Sequence, residues 1–147
     1  MANFLKAGIA LALTTTAAIA DGHAQNWDMP MAYAATNYHS EQGVIFADRV
    51  REYTDGAINI TVHPGGSLFG GGDIKRAVQT GQVPIGERFM SAHANEAPLL
   101  GWDNLPFIAT SYADNAKLWD AARDSVNAQL ADLNLLHMSM ARPRVLF

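Results

Sequence analysis

The chain has 147 residues, with 10 Lys and Arg against 14 Asp and Glu for a formal charge of -4, and it contains no cysteine. This length holds one domain of ordinary size, and 49% apolar with 16% charged residues is typical of a globular protein rather than a disordered one. The lack of cysteine excludes disulfides, thiolate metal sites and a cysteine nucleophile, and the acidic balance argues against a nucleic-acid partner.

The N-terminus has the pattern of a secretory signal peptide. Lys6 is followed by an uncharged, apolar run from Ala7 to Ala20 and then by small residues. A retained membrane anchor is the alternative, but the run is shorter than the ~20 residues that a membrane-spanning helix needs. We therefore predict a signal peptide over residues 1–24, cleaved after Ala24 or after Ala20, and an exported, soluble protein.

A strand and a helix follow. Apolar and aromatic residues between positions 27 and 33 predict the first strand. Phe46, Val50 and Tyr53 recur at spacings of four and three, with charged residues elsewhere, which predicts an amphipathic helix over residues 40–54.

The next stretch continues this alternation. Residues 58–62 alternate apolar with polar side chains, as in a strand with one buried face. The glycine-rich loop 64–72 leads to a short helix with Asp73 as its N-cap and its end at Gly81, and residues 83–87 form a short, apolar third strand. Strands that alternate with helices predict a parallel sheet and an α/β fold.

The C-terminal part is predicted to be mainly helical. Residues 93–101 form a loop or one helical turn, and residues 105–109 are extended. Ser111 and Asp114 have the spacing of a capping box, and the apolar residues behind them predict one long helix or two consecutive ones. Leu135 begins a predicted fourth strand.

Several common catalytic and cofactor-binding motifs are absent from the sequence. A Walker loop needs Lys and then Ser or Thr after its last glycine, where this chain has Asp73, and a carboxylate there repels phosphate. The five histidines lack the spacing of a zinc-binding helix, and no nucleophile elbow is present. We therefore expect no cofactor, no metal and no catalytic residues.

Polar side chains follow the predicted strands where each of them ends. Ligands of open α/β sheets bind beyond the carboxyl ends of the strands. Those ends carry Asn37 and His39, the glycine-rich loop, and the segment 87–91 with Glu87. Amide, imidazole and carboxylate groups together suit a small polyhydroxy or hydroxy-acid ligand. The alternative is that these are ordinary turn residues.

Several stretches share the pattern of one known family. They are Trp27-Asp-Met-Pro, Asn37-Tyr-His39, His63-Pro-Gly-Gly-Ser-Leu-Phe69, residues 74–87, Ala94-Asn-Glu96, residues 106–112 and Lys117-Leu-Trp119. By these stretches, of which 74–87 is the most specific, the chain resembles the extracytoplasmic solute-binding subunits of TRAP transporters, the DctP-type family, over residues 27–136.

The resemblance implies a two-lobed periplasmic binding protein rather than an enzyme. Such a protein closes on a small organic acid or related solute and delivers it to TRAP membrane subunits, which import it with a sodium gradient. Carried over by position, Asn37, His39 and Glu87 contact the ligand from the first lobe, with Ser91 as a weaker candidate. An exported small hydrolase using Glu87 or a His-supported metal is the alternative, and a non-functional fragment is another.

The chain also departs from this family. Family members are longer, and their ligand carboxylate is held by an arginine of the second lobe. The resemblance ends after Leu136, which predicts a truncated or frameshifted gene with residues 25–136 as a periplasmic-binding-protein-like N-terminal lobe, 137–147 as an aberrant or divergent tail, and the second lobe largely missing. One lobe leaves the ligand open to water, so we expect weak binding and self-association through exposed apolar surface.

Overall fold

The computed structural model describes residues 24–138. The elements in chain order are β1 (Gln25–Pro30), α1 (Tyr38–Tyr53), β2 (Ile58–His63), α2 (Ile74–Gln79), the 3₁₀ turns Met90–His93 and Pro98–Gly101, and α3 (Tyr112–Asp132). Nearly all of the predicted signal peptide and most of the predicted tail lie outside the described residues. Within the described part of the chain, no helix is long and apolar enough to span a membrane.

The sheet is parallel, as the sequence predicts. β1 and β2 pair from Gln25 opposite Ile58 to Pro30 opposite His63, with α1 connecting them. A single parallel bridge between Met31 and Glu87 extends the sheet on the other side of β1. The α/β prediction is confirmed, with a parallel sheet flanked by helices.

The predicted third strand is wrong, since only Glu87 of residues 83–87 pairs with the sheet. Pro84 has no backbone N–H to give to a ladder. Gly86 lies so close to α2 that a Cβ there would stand 2.7 Å from Cγ2 of Ile74. Val83 and Ile85 are nevertheless buried, so this segment contributes to the core without lengthening the sheet.

Two further predictions from the C-terminal part are also wrong. Residues 105–109 form a turn instead of an extended segment, because Pro106 favours a turn and Phe107 adopts a φ of 63°. No strand begins at Leu135, whose backbone N–H donates to the Leu130 carbonyl at 2.8 Å and so remains tied to the end of α3. A left-handed Asn134, with φ of 57°, reverses the chain there.

Both predicted helix starts are found, with different capping. Ser111 Oγ accepts a hydrogen bond from the Asp114 N–H at 3.1 Å, and one continuous helix follows. Asp73 precedes α2 but makes no capping hydrogen bond, and its carboxylate instead lies 3.0 Å from Nη2 of Arg76. Gly81, with φ of 71°, follows α2 as predicted.

Helix α1 lies on the sheet through small residues. Its buried positions are Ser40, Gly43 and Ala47, whereas Tyr53 is 80% exposed. A Cβ on Gly43 would stand 2.5 Å from Sδ of Met31, a fully buried side chain. The apolar face predicted from the larger side chains is therefore only part of the contact, and glycine allows the close approach of helix and strand.

The buried apolar residues form two clusters. The first, beneath α1, contains Met29, Met31 and Ile85. The second joins Pro98–Gly101 to α3, and its buried members are Ala97, Leu100, Val126 and Leu130. The first cluster supports the carboxyl edge of the sheet, where the predicted site residues lie.

Candidate functional site

Three segments of the chain meet beyond the carboxyl ends of the strands. After β2, the backbone N–H groups of Gly65 and Gly66 donate to the carbonyls of Tyr33 and Met31, at 2.7 and 2.9 Å. On the other side, the Glu87 N–H donates to the Pro30 carbonyl at 2.9 Å. These bonds fix the glycine-rich loop and the segment around Glu87 against the end of β1.

The first turn of α1 brings His39 to Glu87. Nδ1 of His39 lies 3.5 Å from Oε1 of Glu87, and the two side chains are 17% and 7% exposed. The parallel bridge to Met31 sets the position of Glu87, while the cap of α1 sets that of His39. Two of the predicted site residues, 48 positions apart in the chain, are therefore in ion-pair distance.

The carboxyl group of Glu87 is in an unusual environment. Burial raises its pKa above the ordinary value, and the Arg88 charge and the Ala32 backbone N–H offset part of this effect. Its Oε2 is buried and has no hydrogen-bond partner among the described residues. A buried oxygen without a partner costs free energy that an incoming donor would recover. Glu87 is thus a candidate acceptor for an N–H or O–H group of a ligand.

Aromatic side chains surround the His39 ring. The centroid of Tyr33 is 5.0 Å away, that of Phe89 is 5.7 Å away in an edge-to-face arrangement, and that of Tyr38 is 5.9 Å away. The sequence did not single out Tyr33 or Phe89 as site residues. The available signal was that Phe89 follows Glu87 by two positions, which places both on one side of an extended segment.

The other two predicted residues are placed differently. Asn37 is exposed, and its Oδ1 accepts a hydrogen bond from the His39 N–H at 3.0 Å, so it is the N-cap of α1. Ser91 lies on the 3₁₀ turn Met90–His93, and its hydroxyl makes no hydrogen bond within the described residues. The structure therefore connects Asn37, His39 and Glu87, and does not connect Ser91 to them through its hydroxyl.

Arg88 was also missed by the sequence analysis. Its guanidinium packs on the loop after β2. A Cβ added to Gly71 in that loop would stand 3.0 Å from Nη1 of Arg88, and the same Cβ would stand 3.2 Å from the Cβ of Ala32. Its Nε is buried and has no hydrogen-bond partner within residues 24–138. The signal in the sequence was its position next to Glu87 at a predicted strand end.

A small cleft also lies at the carboxyl ends of the strands. It has a volume of about 120 Å³ and is lined by Ala35, Ser40, Val44, Val62 and Pro64, from both strand ends and α1. Over residues 24–138, no cluster of three or more His, Cys, Asp or Glu side chains could hold a metal. The described site is thus one of hydrogen-bond donors and acceptors beside aromatic and apolar surface.

Comparisons with known proteins extend this description. The model of the family "Bacterial extracellular solute-binding protein, family 7" (DctP) matches residues 31–141. A marine metagenome TRAP solute-binding protein specific for pyroglutamate, solved with co-purified pyroglutamate, is 80% identical, has a TM-score of 0.75, and is matched over 77% of this chain and 37% of that one.

Two Bordetella pertussis extracytoplasmic solute receptors binding pyroglutamic acid are also similar. They are 38% and 37% identical to this chain, with TM-scores of 0.73 and 0.70, over 76% and 75% of it. The chain spans 37% and 36% of their lengths. The similarity therefore covers most of this chain and little more than a third of each solved structure.

Proposed function

Because the chain belongs to the bacterial extracellular solute-binding proteins of family 7, we propose that it acts as the solute-binding subunit of a TRAP transporter and takes pyroglutamate or a closely similar small acid. The observation that carries this proposal is the 80% identity, over 77% of the chain, with a receptor specific for pyroglutamate. Two further receptors that bind the same acid, at 38% and 37% identity, support it.

The chemistry of the candidate site fits such a ligand. Pyroglutamate is a five-membered lactam with one N–H donor, one carbonyl acceptor and a carboxylate. In our proposal Oε2 of Glu87, which lacks a partner among the described residues, accepts the lactam N–H. His39 holds the Glu87 side chain from its other oxygen, at 3.5 Å. Asn37 and Ser91 complete the predicted contacts from this side of the site.

The aromatic residues around His39 have a second role in this proposal. The ring of a lactam presents CH₂ groups that cannot be hydrogen-bonded, and small-molecule sites bury such groups against aromatic and apolar side chains. Tyr33 and Phe89 provide aromatic surface within 6 Å of the His39 ring. Polar groups would then set the ligand's orientation, while these rings cover its apolar part.

The partners and location follow from the same proposal. The chain would act in the periplasm and deliver its ligand to TRAP membrane subunits, without a cofactor and without chemical turnover. The family and the matched structures are solute-binding proteins, so the alternative of an exported hydrolase that uses Glu87 or a metal has no support from them.

A ligand panel tests the proposed function. The purified chain is titrated with pyroglutamate, succinate, galacturonate and glucose, and binding is followed by changes in the amide NMR spectrum, which detects complexes of millimolar affinity. We expect saturable binding with pyroglutamate as the tightest ligand and no binding of uncharged glucose. Equal responses to all four compounds, or none to pyroglutamate, would contradict the proposal.

A further inference from the structure

We propose that Ser40 is a positioning residue of the candidate site, whose hydroxyl holds the backbone of Tyr33 so that the Tyr33 ring keeps its place beside His39. The inference rests on the proposed function and adds to it the residue that fixes one aromatic wall of the site. It gives a role to a buried polar side chain that the sequence analysis did not single out as a site residue.

The Tyr33 carbonyl is a point at which three segments of the chain are joined. It lies beyond the end of β1 and accepts two hydrogen bonds, from the Ser40 hydroxyl at 2.8 Å and from the Gly65 N–H at 2.7 Å. Ser40 belongs to the first turn of α1, and Gly65 belongs to the glycine-rich loop after β2. The two bonds use both lone pairs of the carbonyl oxygen. The Ser40 hydroxyl therefore ties α1 to the end of β1 at the same atom that holds the loop.

The close approach of α1 to β1 brings the Ser40 hydroxyl to this carbonyl. Ser40, Gly43 and Ala47 are the buried positions of α1. Gly43 follows Ser40 by one turn and lies against Met31, whose Sδ would stand 2.5 Å from a Cβ on Gly43. Ser40 itself is 1% exposed, and a buried hydroxyl costs free energy unless it is hydrogen-bonded. Burial therefore favours the one orientation in which the hydroxyl reaches Tyr33.

The position of the Tyr33 backbone sets the position of its ring. The ring centroid lies 5.0 Å from that of His39, with an angle of 31° between the two planes. Nδ1 of His39 is in turn 3.5 Å from Oε1 of Glu87. Because hydrogen bonds to the Tyr33 carbonyl restrict rotation of the backbone there, they also restrict where the side chain can point. Ser40 thus acts on the site through Tyr33 and does not itself contact the ligand.

A fixed aromatic ring favours binding of a small cyclic ligand. An aromatic side chain that must be ordered when the ligand arrives costs free energy, which lowers the affinity. The Ser40 hydroxyl removes part of this cost, because it orders Tyr33 before binding. We expect its loss to weaken pyroglutamate binding by about threefold, since one side chain is affected and Gly65 still holds the carbonyl.

The first measurement needs no ligand. An aromatic ring at 5.0 Å shifts the NMR signals of the His39 ring protons, so these signals report where the Tyr33 ring lies. Tyr33→Leu gives the His39 signals without this ring, and Ser40→Ala should move them toward those values. Ser40→Thr keeps the hydroxyl and should leave them in place, since the cleft of about 120 Å³ beside Ser40 offers space for a methyl group. Limiting shifts of the neutral imidazole, taken from full pH titrations, make the comparison independent of the protonation state.

Thr54→Val is the matched control on the same helix. Oγ1 of Thr54 donates to the Val50 carbonyl at 2.8 Å and accepts from the Ile58 N–H at 3.1 Å. This hydroxyl also ties α1 to a strand, but at the end of the helix away from the site. Thr54→Val should lower the melting temperature, as Ser40→Ala does, and leave the His39 signals and pyroglutamate binding unchanged. A purely structural role of Ser40 would make the two variants alike.

The second measurement is binding, at a temperature at which all variants are folded. In NMR titrations Ser40→Ala should raise the dissociation constant for pyroglutamate about threefold, and Ser40→Thr should restore it. The inference is overturned, while the proposed function stands, if Ser40→Ala leaves the His39 signals or the dissociation constant unchanged, or if Thr54→Val or Ser40→Thr changes them equally. If the unsubstituted chain does not bind pyroglutamate, the proposed function fails, and the role of Ser40 in binding fails with it.

Discussion

At the scale of single residues, Glu87 has opposite effects on stability and on binding. Burial raises its pKa, so the folded chain holds the Glu87 proton to a higher pH than the unfolded chain does. The ionised carboxylate is then a cost of folding that is absent in acid and grows as the pH rises through the raised pKa. A group retained at such a cost is consistent with a role in binding.

Glu87→Gln tests this opposition. Because glutamine does not ionise, the melting temperature of the variant should equal that of the unsubstituted chain in acid. It should exceed it increasingly as the pH rises from the ordinary glutamate pKa of 4.5 to the raised pKa of Glu87, and by a constant amount above that. Pyroglutamate binding should weaken about tenfold, since a charged acceptor is replaced by a neutral one. Glu52→Gln, at a mostly exposed carboxylate on α1, is the control. A Glu87→Gln variant that is less stable at neutral pH would contradict a folding cost of the buried Glu87 carboxylate.

Asn37 combines a capping role with a proposed contact, and two substitutions separate these roles. Asn37→Ala removes the acceptor for the His39 N–H and should lower the free energy of unfolding by about 0.5–2 kcal/mol. Asn37→Ser keeps a capping oxygen and should retain most of the stability, yet it lacks the amide and should bind pyroglutamate less tightly. Thermal denaturation and NMR titration measure the two effects. If Asn37→Ser binds as well as the unsubstituted chain, Asn37 is a cap alone.

At the scale of secondary-structure elements, the contact of α1 with β1 positions the site. Gly43→Ala would place a Cβ 2.5 Å from Sδ and 2.6 Å from Cε of Met31. We expect the free energy of unfolding, measured by denaturant titration, to fall by about 1–2 kcal/mol. The energetic cost of overpacking this buried contact should exceed the helix-propensity gain of alanine over glycine. Gly72→Ala, with open space around its Cβ position, should have little effect. Equal stability of both variants would contradict this expectation and show that the Met31 side chain can move away from the added Cβ without loss of stability.

The elements also show what the sequence could predict. Local signals were sufficient for α1, β2, α2 and the capped start of α3, because each depends on periodicity or on residues within one turn. The failed strands depend on partners distant in the chain. Residues 83–87 have strand-like composition, but Pro84 and the contact of Gly86 with Ile74 prevent a ladder. Leu135 has a strand-forming neighbourhood, but its N–H is held by Leu130.

The candidate site follows the same rule. The strand-end argument reached Asn37, His39 and Glu87, which the structure connects, because polar residues after strands are visible in sequence. Arg88 and Phe89 could not be predicted from the sequence, because their positions near the site depend on tertiary packing. Arg88 packs against Gly71, and the Phe89 ring packs against His39. The hydroxyl of Ser91 has no described hydrogen bond, so its role stays a prediction.

At the scale of the whole molecule, the segment 105–112 is unusually exposed. Leu105, Phe107, Ile108 and Tyr112 are between 58% and 89% exposed. Exposed apolar side chains that lie close together in the sequence favour association between molecules when they form a common surface. We expect concentration-dependent self-association of the chain in sedimentation velocity experiments.

Phe107→Asn is the variant that tests this expectation. It removes the most exposed of these four side chains and suits the left-handed φ of 63°, which asparagine tolerates better than phenylalanine. Self-association should decrease without loss of stability. Tyr53→Asn removes another exposed aromatic side chain outside this segment and should leave association unchanged. Equal effects of the two substitutions would contradict a role for the segment 105–112.

The share of the receptor that these 147 residues span sets the expected affinity. The chain matches only 37% of the length of the pyroglutamate receptor, so a polypeptide of these 147 residues offers part of the contacts of that receptor. If half of a micromolar binding free energy of about -8 kcal/mol is retained, about -4 kcal/mol remains, which corresponds to a dissociation constant near millimolar. Calorimetry that found nanomolar binding would contradict this estimate.

The most direct measurement is an amide and imidazole NMR titration of the chain with pyroglutamate. We expect saturable shifts with a dissociation constant near millimolar, concentrated at His39 and Glu87 on the carboxyl edge. Shifts that do not saturate, or that lie on α3 and leave the His39 ring unchanged, would contradict a solute site at this edge.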